Sequence, residues 1–215
     1  AFVSIHENPV SIRWFTPSIE VDLCGHATLA SARILFDYYP DRAGEEINFD
    51  SKSGNLKVTK CNDGLCLNFP ADQPIEKKLD SLFIEILDIE PLKLLRGKDD
   101  YLAIFKNQKQ IEDMQPKLFL LKKINARGLV ISAPGDEVDF VSRCFYPEAG
   151  IEEDPVTGSA HTMLTPYWAN QFNKEDLEGH QLSRRGGKLN CRLANDRVYI
   201  SGNSVIYFEG TISIV

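Results

Sequence analysis

Apolar and polar residues alternate along much of this chain with the period of two that puts one face of a strand inward. The pattern predicts strands at residues 9–15, 46–50, 54–59 and 65–69, and again at 101–105, 128–133, 139–145, 188–193, 197–201 and 205–214. Phe2 and Val3 already read as the middle of a strand. Cys61-Asn62-Asp63-Gly64-Leu65 carries hairpin-turn chemistry, and Asn195-Asp196 that of a tight turn. Helical spacing takes over at 26–38, 159–170 and around 79–87, with a shorter stretch across 111–124. Mostly antiparallel strands with one prominent helix per half predict an α+β fold.

The chain also contains itself twice. Arg13-Trp14-Phe15-Thr16-Pro17 returns as Arg143-Cys144-Phe145-Tyr146-Pro147, at an offset of 130. An acidic loop follows each copy, carrying Glu20 and Asp22 in the first and Glu148, Glu152, Glu153 and Asp154 in the second. Each loop closes on a Gly-X-Ala triplet, Gly25-His26-Ala27 and Gly158-Ser159-Ala160, now at an offset of 133 because the second loop is three residues longer. Ordered repeats of this kind predict two pseudo-symmetric lobes, each a sheet or open barrel around a central helix. Residues 1–72 form the first lobe and 73–215 the second, with the last strand a candidate to return to the first.

A triplet at the start of a helix has a bland explanation and a chemical one. On the bland one, Thr157 or Ser159 caps its helix and Asp154 compensates the dipole. On the chemical one, the unpaired N–H groups of each first turn face a ligand that glycine lets approach closely. Two such ends facing one another make a clamp for a small carboxylate between lobes. Asp154 is then the expected proton carrier, held in extended geometry by Pro155, with Glu153 as second choice. Gly25, Gly158, Ser159, Thr157 and Cys24 are expected to line the pocket, and His26 to contact the substrate. Cys24 sits where a helix dipole favours a thiolate, whereas Thr157 occupies the matching place in the second copy. His161 reads as packing, and His6 and His180 as surface groups.

Composition narrows the classes. A net charge of −7 and a single short basic cluster, Ser183-Arg184-Arg185-Gly186-Gly187-Lys188, argue against nucleic acid and suit at most one small anion. The longest apolar runs fall far short of a membrane span, and no secretion signal opens the chain, so a cytoplasmic protein without membrane contact is expected. Five cysteines, Cys24, Cys61, Cys66, Cys144 and Cys191, lack zinc-like spacing and read as free thiols, with a Cys61–Cys66 bridge conceivable across the hairpin. No metal cluster, phosphate loop, dinucleotide fingerprint or nucleophile elbow is present in the sequence.

The two motifs together, Arg13–Pro17 running into Glu20-Val-Asp-Leu-Cys-Gly-His-Ala-Thr-Leu-Ala30, and Gly150-Ile-Glu-Glu-Asp-Pro-Val-Thr-Gly-Ser-Ala-His161 with Pro166-Tyr-Trp168, strongly resemble the phenazine-biosynthesis isomerase-like (PhzF-like) family over essentially the whole chain. The resemblance implies the diaminopimelate epimerase and proline racemase architecture, with the active site between the lobes. It implies a cofactor-independent isomerase of a small carboxylic acid, commonly a homodimer, whose best-known member acts on trans-2,3-dihydro-3-hydroxyanthranilate. His26 and Asp154 match the family's polar active-site residues, and Gly25 and Ser159 its pocket lining. The related epimerases use one cysteine per lobe; Thr157 stands where the second belongs, which disfavours a two-thiol racemase. The family's acid/base glutamate is expected upstream of Ala1, so little isomerase activity is expected of the 215 residues alone. A metabolite-binding protein with impaired chemistry, or a Cys24-dependent epimerase, are the alternatives.

Overall fold

The computed structural model describes residues 1–16, 19–62 and 64–211. In the first half, β1 (Phe2–Ser4), β2 (Val10–Phe15) and β3 (Glu20–Val21) precede helix α1 (Gly25–Tyr38) and a single turn, α2 (Pro40–Ala43). The meander β4 (Glu46–Ser51), β5 (Gly54–Cys61), β6 (Gly64–Pro70) then follows. Strand β2 shows why alternation decides the fold here: Val10, Ile12 and Trp14 are buried while Arg13 and Phe15 face outward. Gly64, at φ +113°, turns the β5–β6 hairpin where a side chain would be strained.

The second half opens with β7 (Ile75–Lys77), α3 (Ser81–Leu87), β8 (Lys93–Arg96) and β9 (Asp100–Ile104). Two short helices, α4 (Gln108–Asp113) and α5 (Leu118–Leu121), lead to β10 (Gly128–Pro134) and β11 (Phe140–Phe145). After the acidic loop come α6 (Gly158–Phe172), β12 (Asp176–Gln181), β13 (Gly187–Ala194) and β14 (Arg197–Gly202). Asn195, at φ +55°, makes the expected tight turn between the last two.

All strands join one 14-stranded sheet, ordered β1-β2-β4-β5-β6-β14-β13-β12-β11-β10-β9-β8-β7, with β3 paired beside β2. The seam between the halves is the antiparallel β14–β6 pair, in register from Arg197 opposite Pro70 to Gly202 opposite Leu65. One hydrophobic cluster surrounds α1 and α6 and draws on both halves, with Trp14, Phe49 and Phe69 from one and Phe140, Trp168 and Ile200 from the other. A second gathers Phe83, Leu87, Phe105, Leu129 and Phe145 beneath α3, α4 and α5.

A helix-internal proline does structural work in α6. Pro166 has no N–H, so the carbonyl four residues earlier loses its usual donor. That carbonyl, of Thr162, instead accepts from the Asp72 N–H at 3.0 Å, fastening the end of the first half to α6.

Three expectations need correction. The strand expected over 205–214 does not form: residues 203–211 lie outside every strand, and 212–214 lie outside the described residues. The place beside β6 is taken by β14, leaving Val205, Tyr207 and Phe208 exposed. The helix expected across 111–124 is two, α4 and α5, because Pro116 cannot continue the first. Strands β7, β8 and β12 are additions. The polar sequence of β12 conceals an interior strand, in which Gly179 is required because a Cβ there would meet the Phe140 ring at 2.5 Å.

Candidate active site

The internal repeat recurs in three dimensions in its Arg–Glu–Phe contacts. Arg13 grips Glu20 with a two-pronged pair, Nε to Oε1 at 2.8 Å and Nη2 to Oε2 at 3.0 Å. Arg143 grips Glu153 through the same atoms at 2.6 and 3.0 Å. Each guanidinium also lies over the phenylalanine two residues on, Phe15 at 5.1 Å and Phe145 at 5.2 Å. Each fork ties an acidic loop back to the strand it left, which brings the next glycine to the start of a helix. Thr28 Oγ1 donates to the Cys24 carbonyl at 2.7 Å, and His161 Nδ1 occupies the matching place on the Thr157 carbonyl at 2.8 Å.

The two helix starts meet. A Cβ placed on Gly25 would lie 3.1 Å from Gly158 Cα, and one on Gly158 would lie 3.2 Å from Gly25 Cα. The glycines are there for backbone approach. The capping explanation fails at both ends, since neither Cys24 nor Thr157 bonds its first turn through its side chain. The unpaired N–H groups and positive dipole ends of α1 and α6 therefore converge. We expect Gly25→Val and Gly158→Val each to force these backbones apart by more than neighbouring side chains can absorb. Steady-state turnover should fall at least about tenfold for either variant, since displacements near 1 Å at a site are costly. Wild-type turnover in Gly25→Val would remove the requirement for close approach.

Asp154 stands at this junction, 9% exposed. Its Oδ2 accepts from Thr157 Oγ1 at 2.5 Å. Its N–H donates to the Cys144 carbonyl at 2.9 Å. Gln181, fully buried on β12, completes the frame: its Nε2 donates to the Asp154 carbonyl at 2.6 Å and its Oε1 accepts from the Thr157 N–H at 2.8 Å. Glu153, the other candidate, is committed to Arg143 and points away. The position matching Asp154 in the first copy, 133 residues earlier, is the apolar Val21.

His26 links the copies from the α1 side, its Nδ1 donating to the Val156 carbonyl at 3.0 Å while Cys24 Sγ lies 3.5 Å from Nε2. Its pKa is raised to about 9, chiefly by the bond to Cys24, with Asp154 acting in the same sense against partial burial. Burial raises the Asp154 carboxyl above its ordinary value, opposed by Thr157, His26 and Arg127. His161 is the packing residue expected of it: fully buried, with burial lowering its pKa to about 4 so that it is neutral.

Ser159 Oγ accepts from Arg127 Nη2 at 3.0 Å, and Arg127 pairs with Asp100, which also accepts from the Tyr146 hydroxyl at 3.3 Å. Gln181, Arg127 and Asp100 carry no local sequence signal. Among the described residues the side chains of Arg184, Arg185, Cys61, Cys66 and Cys191 make no bond to the site residues, although Ser183 at the start of that turn donates to the Pro155 carbonyl at 2.7 Å; all five cysteines are free thiols. Among the described residues no group of three or more His, Cys, Asp or Glu side chains is placed to hold a metal, and no helix is long and apolar enough to cross a membrane.

The model of the phenazine biosynthesis-like (PhzC-PhzF) proteins matches residues 1–210. The chain belongs to this family. An uncharacterized isomerase of Halalkalibacterium halodurans is 42% identical over 95% of this chain and 78% of its own length. Another, from Pseudomonas aeruginosa, is 43% identical over 100% of this chain and 82% of its own. Among solved structures, a PhzF-family protein from Enterococcus faecalis superposes with a TM-score of 0.89 at 39% identity, over 95% of this chain and 78% of that one. A hydroxyproline epimerase from Agrobacterium vitis shares the fold at a TM-score of 0.58 and 10% identity, over 91% of this chain and 68% of that one. The epimerase- and racemase-type fold expected for a PhzF-like chain is thus present, and the two repeated segments of this chain meet at one junction within it.

Proposed function

We propose that this PhzF-like protein is a cofactor-independent isomerase that moves a proton within a small carboxylic acid, in the cleft where α1 and α6 meet. One observation carries the reading: two uncapped helix starts converge beside a carboxyl group withdrawn from water. The converging N–H groups suit the substrate's carboxylate. Asp154, its pKa lifted by burial above the ordinary carboxylate value, is placed to exchange a proton with a bound acid. His26, its pKa raised by Cys24 and Asp154, is placed to balance charge as the proton moves. The names of the isomerase relatives are consistent with this class of reaction.

The geometry speaks against two-thiol racemisation. Thr157 holds the place of the second thiol, and its hydroxyl is engaged with Asp154. Incubating the full-length protein with a panel of small cyclic and amino carboxylates in deuterium oxide tests the proposal. Incorporation of deuterium at carbon, retained after Cys24→Ala substitution, is the expected result. A protein that binds carboxylates yet exchanges no carbon-bound hydrogen would be a metabolite binder, and the isomerase reading would fail.

A further inference from the structure

Arg127 immediately precedes β10 and belongs to neither copy of the repeat. Its Nε donates to Asp100 Oδ1 at 3.0 Å and its Nη2 bonds Asp100 Oδ2. Its guanidinium carbon lies 5.0 Å from the centre of the Tyr146 ring. That ring fits because the next residue is Gly128, where a Cβ would lie 2.3 Å from Tyr146 Cδ1. Asp100 is buried, and an arginine so paired and stacked is held in one orientation. A cation fixed this firmly, with 34% of its side chain still open to solvent, is more than a tie between β9 and β10.

The same guanidinium also reaches the α6 side of the junction. Nη2 reaches Ser159 Oγ at 3.0 Å, on the residue after Gly158. Among the described residues Ser159 Oγ makes no bond to an acceptor, so its hydrogen is available to a bound molecule. A hydroxyl that accepts from a guanidinium becomes a better donor through its own hydrogen. We propose that Arg127 is a positioning residue of the cleft: it locks the Ser159 hydroxyl as a donor to the carboxylate of the bound acid. This rests on the carboxylate-binding reading above, and adds the residue that makes the α6 side of the clamp the stronger one.

Anthranilate and its uncharged counterpart 2-aminobenzamide are the probes, titrated by calorimetry into full-length wild type, Arg127→Lys, Ser159→Ala and the double variant. Wild type should prefer anthranilate by about tenfold or more, the scale of one charge-assisted bond. Arg127→Lys keeps a cation beside Asp100 but lacks the fork, and should lose most of that preference. Ser159→Ala should lose as much with the Asp100 pair untouched, and the double variant should be no worse than Ser159→Ala. Should Arg127→Lys not fold, Arg127→Gln with Asp100→Asn, which leaves no unpaired buried charge, is read in the same way. A purely structural Arg127 predicts a changed melting temperature with the preference kept. Retained preference in Arg127→Lys, or losses that multiply in the double variant, would overturn the assignment alone. No preference in wild type would overturn the assignment together with the carboxylate-binding reading.

Discussion

Asp154→Asn should cut the rate of carbon-bound hydrogen exchange by roughly 10²- to 10⁴-fold, the range of a positioned acid or base, while leaving the protein folded. The fold survives because the frame around the residue is indifferent to the change. Asparagine Oδ1 can still accept from Thr157 Oγ1, the Asp154 N–H bond to Cys144 is main chain, and Gln181 holds the main-chain carbonyl. Stability should rise slightly when this desolvated carboxyl is replaced by a neutral amide, because burial disfavours the charged form. Exchange measured by NMR in deuterium oxide, beside a melting curve, separates the two effects. More than a tenth of the wild-type rate in Asp154→Asn would remove Asp154 from the chemistry. Glu153→Gln is the control, since Glu153 serves Arg143.

The two Arg–Glu forks provide a second test, because one geometry occurs in two environments. Arg13 has 58% of its side chain exposed, and its partner Glu20 is also bonded by Lys52 at 2.7 Å. Arg143 has only 11% exposed, and its Nη1 additionally satisfies the carbonyls of Ile111 at 3.1 Å and Met114 at 2.7 Å. Arg143→Met therefore strands a carboxylate and two carbonyls in a water-poor setting. Removing one partner of such a pair costs about 3 kcal/mol, or roughly 10 °C in melting temperature for a chain of this size. Arg13→Met should leave the melting temperature almost unmoved, since Lys52 and water remain for Glu20. Scanning calorimetry on both variants decides it. Equal shifts would mean that burial does not set the worth of the fork.

What the sequence made legible was local or duplicated. Alternation placed β2, β4, β5 and β6, strand-rich stretches without alternation marked β10 and β11, and the spacing of Arg, Glu and Gly in two copies located the junction of α1 and α6. Asp154, His26, Thr157, Gly158 and Ser159 do come together there. Residues brought in by strand pairing were illegible. Asp100 and Arg127 become neighbours because β9 and β10 run parallel, with Asp100 opposite Gly128, and no periodicity encodes that. Gln181 lies in β12, whose polar composition hides its burial. The misread strand at 205–214 shows the same limit: alternation reports what a segment could do, whereas the partner across the sheet decides which segment does it. Here the tight turn at Asn195-Asp196 delivers β14 to β6 first.

That pairing reaches beyond architecture. Since β14 is laced to β13 on one edge and to β6 on the other, separating the halves would mean unzipping a six-rung main-chain ladder. Any movement of one half against the other therefore has to bend or twist about this ladder rather than part it.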